Sequence, residues 1–187
     1  MLRYFSEGDY MKAAGDLLSY RDLPWGEVYY RQFYGRCIMR LAKTYGNRQD
    51  VFERLMEKLA GIRQKYGDVS YEFEVFRELK LCFILWSGDE EFPPSAQILF
   101  SDNFPMAFAA EDVAYLGDVI LDYMKQEEFK NFVRTKPELI KYVQNREMTW
   151  QKFYELYDLY GTDESIWNKY ILRDRSGVED SISKITN

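Results

Sequence analysis

The sequence contains no histidine among its 187 residues. This absence excludes serine–histidine and cysteine–histidine nucleophiles, histidine-ligated zinc, Glu-x-x-His di-iron centres and HD-type phosphohydrolase sites. Glycine-rich phosphate loops of the GxGxxG and GxxxxGK(S/T) types are missing too. An enzyme with this sequence would have to work through carboxylates, tyrosines or lysines alone. We therefore expect a protein without catalytic residues, cofactor or metal ion.

Cysteine and long apolar runs are also scarce. Cys37 and Cys82 lie far apart, each among apolar residues, so they offer neither a zinc site nor a disulfide framework, and we expect two buried free thiols. No apolar run reaches the ~18 to 20 residues that a membrane span requires. The opening segment Met1–Asp9 lacks the apolar core of a signal peptide. The sequence therefore predicts a cytoplasmic protein that does not enter a membrane.

Aromatic residues, by contrast, are abundant, at 18% of the chain with 16 tyrosines and 13 phenylalanines. Each ring buries roughly 150–250 Å² when it packs, and tyrosine keeps a polar tip for water or a partner. This composition favours large packed contacts or an aromatic-rich interface.

Charge is segregated along the chain, whose net charge is −6. The segment from Glu27 to Tyr66 contains nine bases and four acids, and the segment from Lys125 to Lys152 contains seven bases and four acids. Between them, the segment from Ser87 to Tyr123 contains eight acids and no base. The net charge argues against wholesale coating of nucleic acid. Such segregation either complements itself inside one fold or presents a bipolar surface to a partner.

The first part of the chain shows helical periodicity. The hexapeptide Gly8–Ala13 is typical of the turn in a tetratricopeptide-like (TPR-like) hairpin, although no second copy follows at the period of about 34 residues. Amphipathic helices are predicted from Glu27 to Tyr45 and from about Asn47 to near Tyr66. The run up to Trp86 is apolar on all sides, which predicts a central helix. A strand is the competing interpretation of that run.

Prolines and acids mark residues 88–109 as a loop with at most a short helix from Ser95 to Phe100. The predicted fold is all-α, with about eight helices. Residues 1–87 would form helical hairpins of a TPR-like bundle or short solenoid, and residues 110–172 a C-terminal cluster of short helices. Residues 173–187 are polar, and we expect them to fray or to order only on a partner.

The stretch from Phe129 to Tyr170 carries the clearest helix boundaries. Pro137 predicts the start of one helix, because proline suits the first helical turn. Thr149 predicts the cap of the next helix, and Gly161 predicts its end. We therefore expect short helices joined by tight turns, with an aromatic inner face.

Several motifs of this stretch follow the pattern of a known family. They are a phenylalanine-rich start, Lys136-Pro137-Glu138-Leu139, Thr149-Trp150-Gln151, Phe153-Tyr154-Glu155, Gly161 and Ile166-Trp167. Together they resemble the small YlbD-type proteins of Gram-positive bacteria, a family assigned to the spore coat. The resemblance covers under a quarter of the chain. It implies a structural or coat-associated role in Gram-positive bacteria or their phages, and it brings no catalytic residues.

Two groups of residues are candidates for contact with a partner. The first is an aromatic group for which core packing is the alternative, and it comprises Trp150, Tyr154, Tyr157 and Trp167. The second is a basic helix face formed by Arg36, Arg40 and Lys43. That face, with Tyr29 and Phe33 on nearby turns, would also suit RNA or DNA.

One carboxylate set has the spacing of a shared helix face, namely Glu111, Asp118 and Asp122. Three such groups could bind a divalent cation, but a solvated acidic face is the favoured interpretation. Taken together, the sequence predicts a non-catalytic protein-interaction or assembly component whose partner is another protein, with a homo-oligomer as one form. A nucleic-acid-associated accessory subunit or regulator is the alternative.

Overall fold

The computed structural model describes residues 12–171. The chain divides into two compact units, Met1–Met124 (unit 1) and Lys125–Asn187 (unit 2). The first residues of the predicted hexapeptide Gly8–Ala13 and the whole predicted tail 173–187 lie outside the described residues.

Unit 1 contains a five-stranded antiparallel sheet in the order β1-β5-β4-β3-β2. The strands are β1 (Leu17–Ser19), β2 (Ile62–Arg63), β3 (Val69–Phe76), β4 (Leu79–Trp86) and β5 (Ser95–Ser101). In the central hairpin Phe73 pairs with Leu81, and Leu81 in turn pairs with Phe100 of β5. These pairs place one continuous apolar face across the middle of the sheet.

The predicted all-α, TPR-like fold is therefore wrong. The run to Trp86 that predicted a central helix is β4, and the segment predicted as a short helix from Ser95 to Phe100 is β5. Strand β4 is buried along most of its length, and its residues from Leu81 to Trp86 are all apolar, so this run shows no period of two. The turn before β4 contains no glycine to identify it in the sequence. Glu78 takes the left-handed φ of 65° that glycine often adopts in turns. Without alternation or a turn signal, a helix and a hairpin look alike.

Within residues 12–124, helices pack on this sheet. They are α1 (Gly26–Phe33), α2 (Met39–Tyr45), α3 (Gln49–Lys58), α4 (Phe104–Ala107) and the start of α5 (Ala110–Arg134). A π-helical turn, Tyr34–Ile38, joins α1 to α2, so the helix predicted from Glu27 to Tyr45 is present with a local widening. The core of unit 1 contains a ring stack between Tyr20 and Phe33, whose centroids lie 4.0 Å apart.

Helix α5 approaches the π-helical turn very closely. A Cβ atom added at Gly117 would lie 2.6 Å from Cys37 Sγ, a distance that real side chains do not reach. The Cys37 thiol donates to the carbonyl oxygen of Ala114 at 3.5 Å. Glycine is therefore required at position 117, because Cys37 Sγ occupies the space that a side chain would need.

The described part of unit 2, residues 125–171, is helical, as predicted for this part of the chain. It contains the end of α5, then α6 (Leu139–Gln144), α7 (Trp150–Tyr160) and α8, which starts at residue 164. Thr149 Oγ1 accepts a hydrogen bond from the Lys152 amide at 3.2 Å, which confirms the predicted cap. Gly161 ends α7 with a φ of 57°. None of the helices within residues 12–171 is both long and apolar enough to cross a bilayer.

Both cysteines are buried and free, which confirms that prediction. Burial, with a smaller contribution from the nearby Asp118 carboxylate, raises the pKa of the Cys37 thiol to about 12. Burial likewise raises the pKa of Cys82 to about 12. Each thiol is therefore both shielded and held in its unreactive protonated form.

We predict that Gly117→Ala lowers the free energy of unfolding by roughly 1–3 kcal/mol, because the new methyl group overpacks against Cys37. Urea unfolding followed by circular dichroism measures this loss. Gly35→Ala is the matched control, since nothing lies within 4 Å of its added Cβ. Adding Cys37→Ala to Gly117→Ala should recover part of the loss, and strictly additive losses would contradict the contact.

Both thiols should resist a thiol-specific reagent in the folded protein at pH 8, since only about one in ten thousand would be ionised at a pKa near 12. The same reagent should modify two thiols per chain after unfolding in urea. Absorbance of the released chromophore measures both reactions. Rapid modification of either cysteine under native conditions would contradict its assignment as a buried thiol.

Candidate protein-binding site

Unit 2 contains a groove of about 530 Å³ between α5 and α7. It is lined by Gln126, Phe129, Lys130, Val133, Arg134, Trp150, Gln151 and Tyr154. Two of these residues, Trp150 and Tyr154, belong to the aromatic group predicted to contact a partner.

The floor of the groove is apolar because of helical spacing on both of its walls. Phe129 and Val133 are four residues apart on α5, as are Trp150 and Tyr154 on α7, so each pair points to one side of its helix. Phe129 and Tyr154 meet edge to face with centroids 5.3 Å apart. Trp150 keeps 40% of its surface exposed. The floor thus presents aromatic surface to solvent.

The rim of the groove is basic. Lys130 and Arg134 are four residues apart on α5 and flank the apolar floor, and no acid is among the eight lining residues. Lys130 Nζ lies 2.7 Å from Glu127 Oε1, yet its side chain stays 54% exposed. Arg134 donates to Asn131 Oδ1 at 2.9 Å, a neutral acceptor that leaves its charge in place. The groove therefore offers an apolar floor beside two cations.

The other two predicted aromatic residues lie in the core of unit 2. Trp167 is 1% exposed, and its ring lies tilted against Phe132 with centroids 4.7 Å apart. Its indole N–H donates to the Gly161 carbonyl oxygen at 2.9 Å. Tyr157 is 4% exposed and packs on Phe129 and Phe132. Trp150 and Tyr154 are therefore the members of the group that a partner could reach.

Sequence reasoning missed most of the α5 wall. The structure buries Phe129 and Phe132 equally, at 8% exposure, and leaves Val133 half-buried. The available signal was the repeat of a base beside each apolar residue, at Lys130 and Arg134. A base one position after each apolar residue marks the edge of a helix face that borders solvent.

The predicted basic face lies in unit 1 and is largely paired. Arg36 donates to Asp118 and Arg40 donates to Asp122, both across to α5. Lys43, the third residue, is exposed. Each pair joins residues 82 apart in sequence, so the two helices run parallel. At these two positions the segregated charges complement each other inside the fold, which was one of the two alternatives.

The carboxylate set considered for a cation is occupied in the same way. Asp118 and Asp122 accept from arginines, and Glu111 accepts a hydrogen bond from Tyr29, which raises the pKa of that tyrosine. Nowhere in residues 12–171 do three or more histidine, cysteine, aspartate or glutamate side chains form a group that could hold a metal ion. These carboxylates thus join two helices.

Substitutions should separate the buried from the exposed tryptophan of unit 2. We predict that Trp167→Ala lowers the free energy of unfolding by about 3–5 kcal/mol, because it leaves a cavity in the core. Trp150→Ala should cost less than about 1 kcal/mol, because Trp150 is part of the surface. Urea unfolding followed by near-ultraviolet circular dichroism measures both. Equal losses would contradict the assignment of Trp150 to the groove.

Two family models match different parts of the chain. Residues 127–186 match the family model described as "Putative coat protein", which confirms the resemblance to YlbD-type proteins. "Uncharacterized protein YlbD" of Bacillus subtilis (strain 168) is 42% identical over 43 residues, 23% of this chain and 33% of that protein, so the match spans about a third of that relative. No solved structure matches the chain. Residues 1–123, more than half of the chain, match the model described as "Domain of unknown function (DUF3786)", and the chain belongs to that family.

Proposed function

We propose that this protein is a non-catalytic assembly component that binds another protein through the groove of unit 2. The observation that carries the proposal is the exposed aromatic floor of that groove beside Lys130 and Arg134. The match of residues 127–186 to a family described as coat proteins supports it, because a coat forms by contacts between proteins.

The floor suits the apolar face of a helix. Covering apolar surface contributes about 25 cal/mol per Å², so shielding the exposed part of Trp150 favours binding. A partner helix presents apolar residues at positions i, i+3 or i+4 and i+7, and such a row lies in a groove between two helices. Tryptophan and tyrosine are also the residues most often found at the energetic centre of protein interfaces.

The rim selects the charge of the partner. Lys130 and Arg134 would attract a helix whose apolar face is flanked by glutamate or aspartate. They would repel one flanked by lysine or arginine. The expected partner segment is therefore an acidic amphipathic helix.

The setting that we propose is the cytoplasm of a Gram-positive bacterium. Two free thiols are typical of a reducing compartment, and the relative in Bacillus subtilis (strain 168) supports the host. The alternative role in nucleic-acid binding has weaker support, because Arg36 and Arg40 already pair with aspartates. Phosphate binding requires bases that are free to neutralise it.

Two synthetic helical peptides test the proposal. They share one apolar face and differ only in having glutamate or lysine beside it. We predict that fluorescence anisotropy shows roughly 10-fold tighter binding of the acidic peptide, and that Lys130→Glu with Arg134→Glu reverses this preference. Trp150→Ala should weaken binding of the preferred peptide by about 10-fold, because the floor loses its aromatic surface.

Lys152→Glu is the matched control for Lys130→Glu measured as a single substitution. It makes the same charge change on an exposed lysine of α7 that does not line the groove. It should leave both affinities within about two-fold of the parent. Equal binding of the two peptides by the parent protein, or equal effects of the two lysine substitutions, would refute a basic groove as the binding site.

A further inference from the structure

We propose that the partner helix belongs to a second copy of this chain, an inference that rests on the groove being a protein-binding site. The helix would be the first part of α5, which carries an acidic aromatic stripe on unit 1. We define this stripe by its residues, Asp112, Tyr115, Val119, Asp122 and Tyr123.

The stripe has an apolar centre that unit 1 leaves uncovered. Tyr115, Val119 and Tyr123 are spaced by four residues and therefore share one face of α5. They are 64%, 41% and 44% exposed. Gly117 and Ala114, on the opposite face, are buried against the π-helical turn. Three large apolar side chains in a row on the solvent side of a helix are typical of an interaction surface.

The charge of the stripe is opposite to that of the groove. Asp112 and Asp122 lie at its edges, and both are exposed. Asp122 also accepts from Arg40, so Asp112 carries the larger share of uncompensated charge. The surrounding segment, Ser87 to Tyr123, has eight acids and no base. The chain itself thus supplies the acidic amphipathic helix that the rim of the groove would select.

The two surfaces also agree in length. At a rise of 1.5 Å per residue, the stripe from Asp112 to Tyr123 extends over about 16 Å. The α5 wall of the groove, from Gln126 to Arg134, extends over about 12 Å. A helix docked along the groove would therefore cover its floor, with one acidic end of the stripe beside Lys130 and Arg134, which lie about 6 Å apart along α5.

The stripe and the groove are different surfaces, so the contact is heterologous. After two copies pair, one stripe and one groove remain unused, and further copies can add to them. Assembly would therefore continue beyond a dimer, as a coat-forming protein requires. High salt should weaken it, because the contact depends partly on exposed charges.

Charge exchange between the two surfaces tests this proposal. The groove variant carries Lys130→Glu and Arg134→Glu. The stripe variant carries Asp112→Lys and Asp122→Lys, together with Arg40→Glu so that the ion pair of Asp122 is kept with its charges exchanged. Sedimentation velocity over a roughly hundred-fold range of concentration measures association of the parent, of each variant and of their mixture.

The parent should form species larger than a dimer as concentration rises. Each variant alone should associate at least about 10-fold more weakly, because its stripe and groove then carry like charges. An equimolar mixture should regain association, since every stripe then finds a groove of opposite charge. This recovery also shows that both variants are folded.

Two results would overturn the second copy as partner. One is a parent that stays monomeric over the whole range, and the other is association that neither variant weakens. If the acidic peptide still binds the groove in either case, the proposed function stands and only the identity of the partner is wrong. If that peptide also fails to bind, both proposals are wrong.

Discussion

The close packing of α5 against the π-helical turn is the constraint on which the rest of unit 1 depends. Gly117 permits it, because any side chain there would occupy the position of Cys37 Sγ. Once the two helices lie that close and parallel, Arg36 and Arg40 reach the aspartates of α5 at a constant spacing. The same packing turns the opposite side of α5 outward. The acidic aromatic stripe is exposed for this reason.

The aromatic residues of unit 2 serve two different purposes. Trp167 lies in the core, where its indole N–H has a backbone acceptor and its ring packs on Phe132. Trp150, on the neighbouring helix, keeps part of its ring in solvent. A cluster of a few short helices has too little interior to bury every ring. Aromatic rings that are not fully buried line the groove, beside the positively charged Lys130 and Arg134.

Charge acts differently in the two units. In unit 1 the arginines of one helix meet the aspartates of another, and such partly exposed pairs contribute little stability but align the two helices. In unit 2 the bases at the groove face solvent beside an apolar floor. In the first arrangement both arginines pair with aspartates of another helix, whereas in the second Lys130 pairs with Glu127 on its own helix and Arg134 donates to a neutral acceptor. This difference is why the groove, and not the arginine face, supports the proposed function.

The sequence by itself determined the helices of unit 2 with the Thr149 cap, the helix from Glu27 to Tyr45, the two buried thiols and the family resemblance of the C-terminal part. Each depends on residues close together in the chain, such as Thr149 with its nearby amide or Gly161 with its φ. Only the tertiary structure decided the β-sheet, because β4 is covered on both faces and loses the alternation that identifies a strand. It also decided which aromatics are buried and which bases are paired, since these depend on helices that are distant in sequence and adjacent in space.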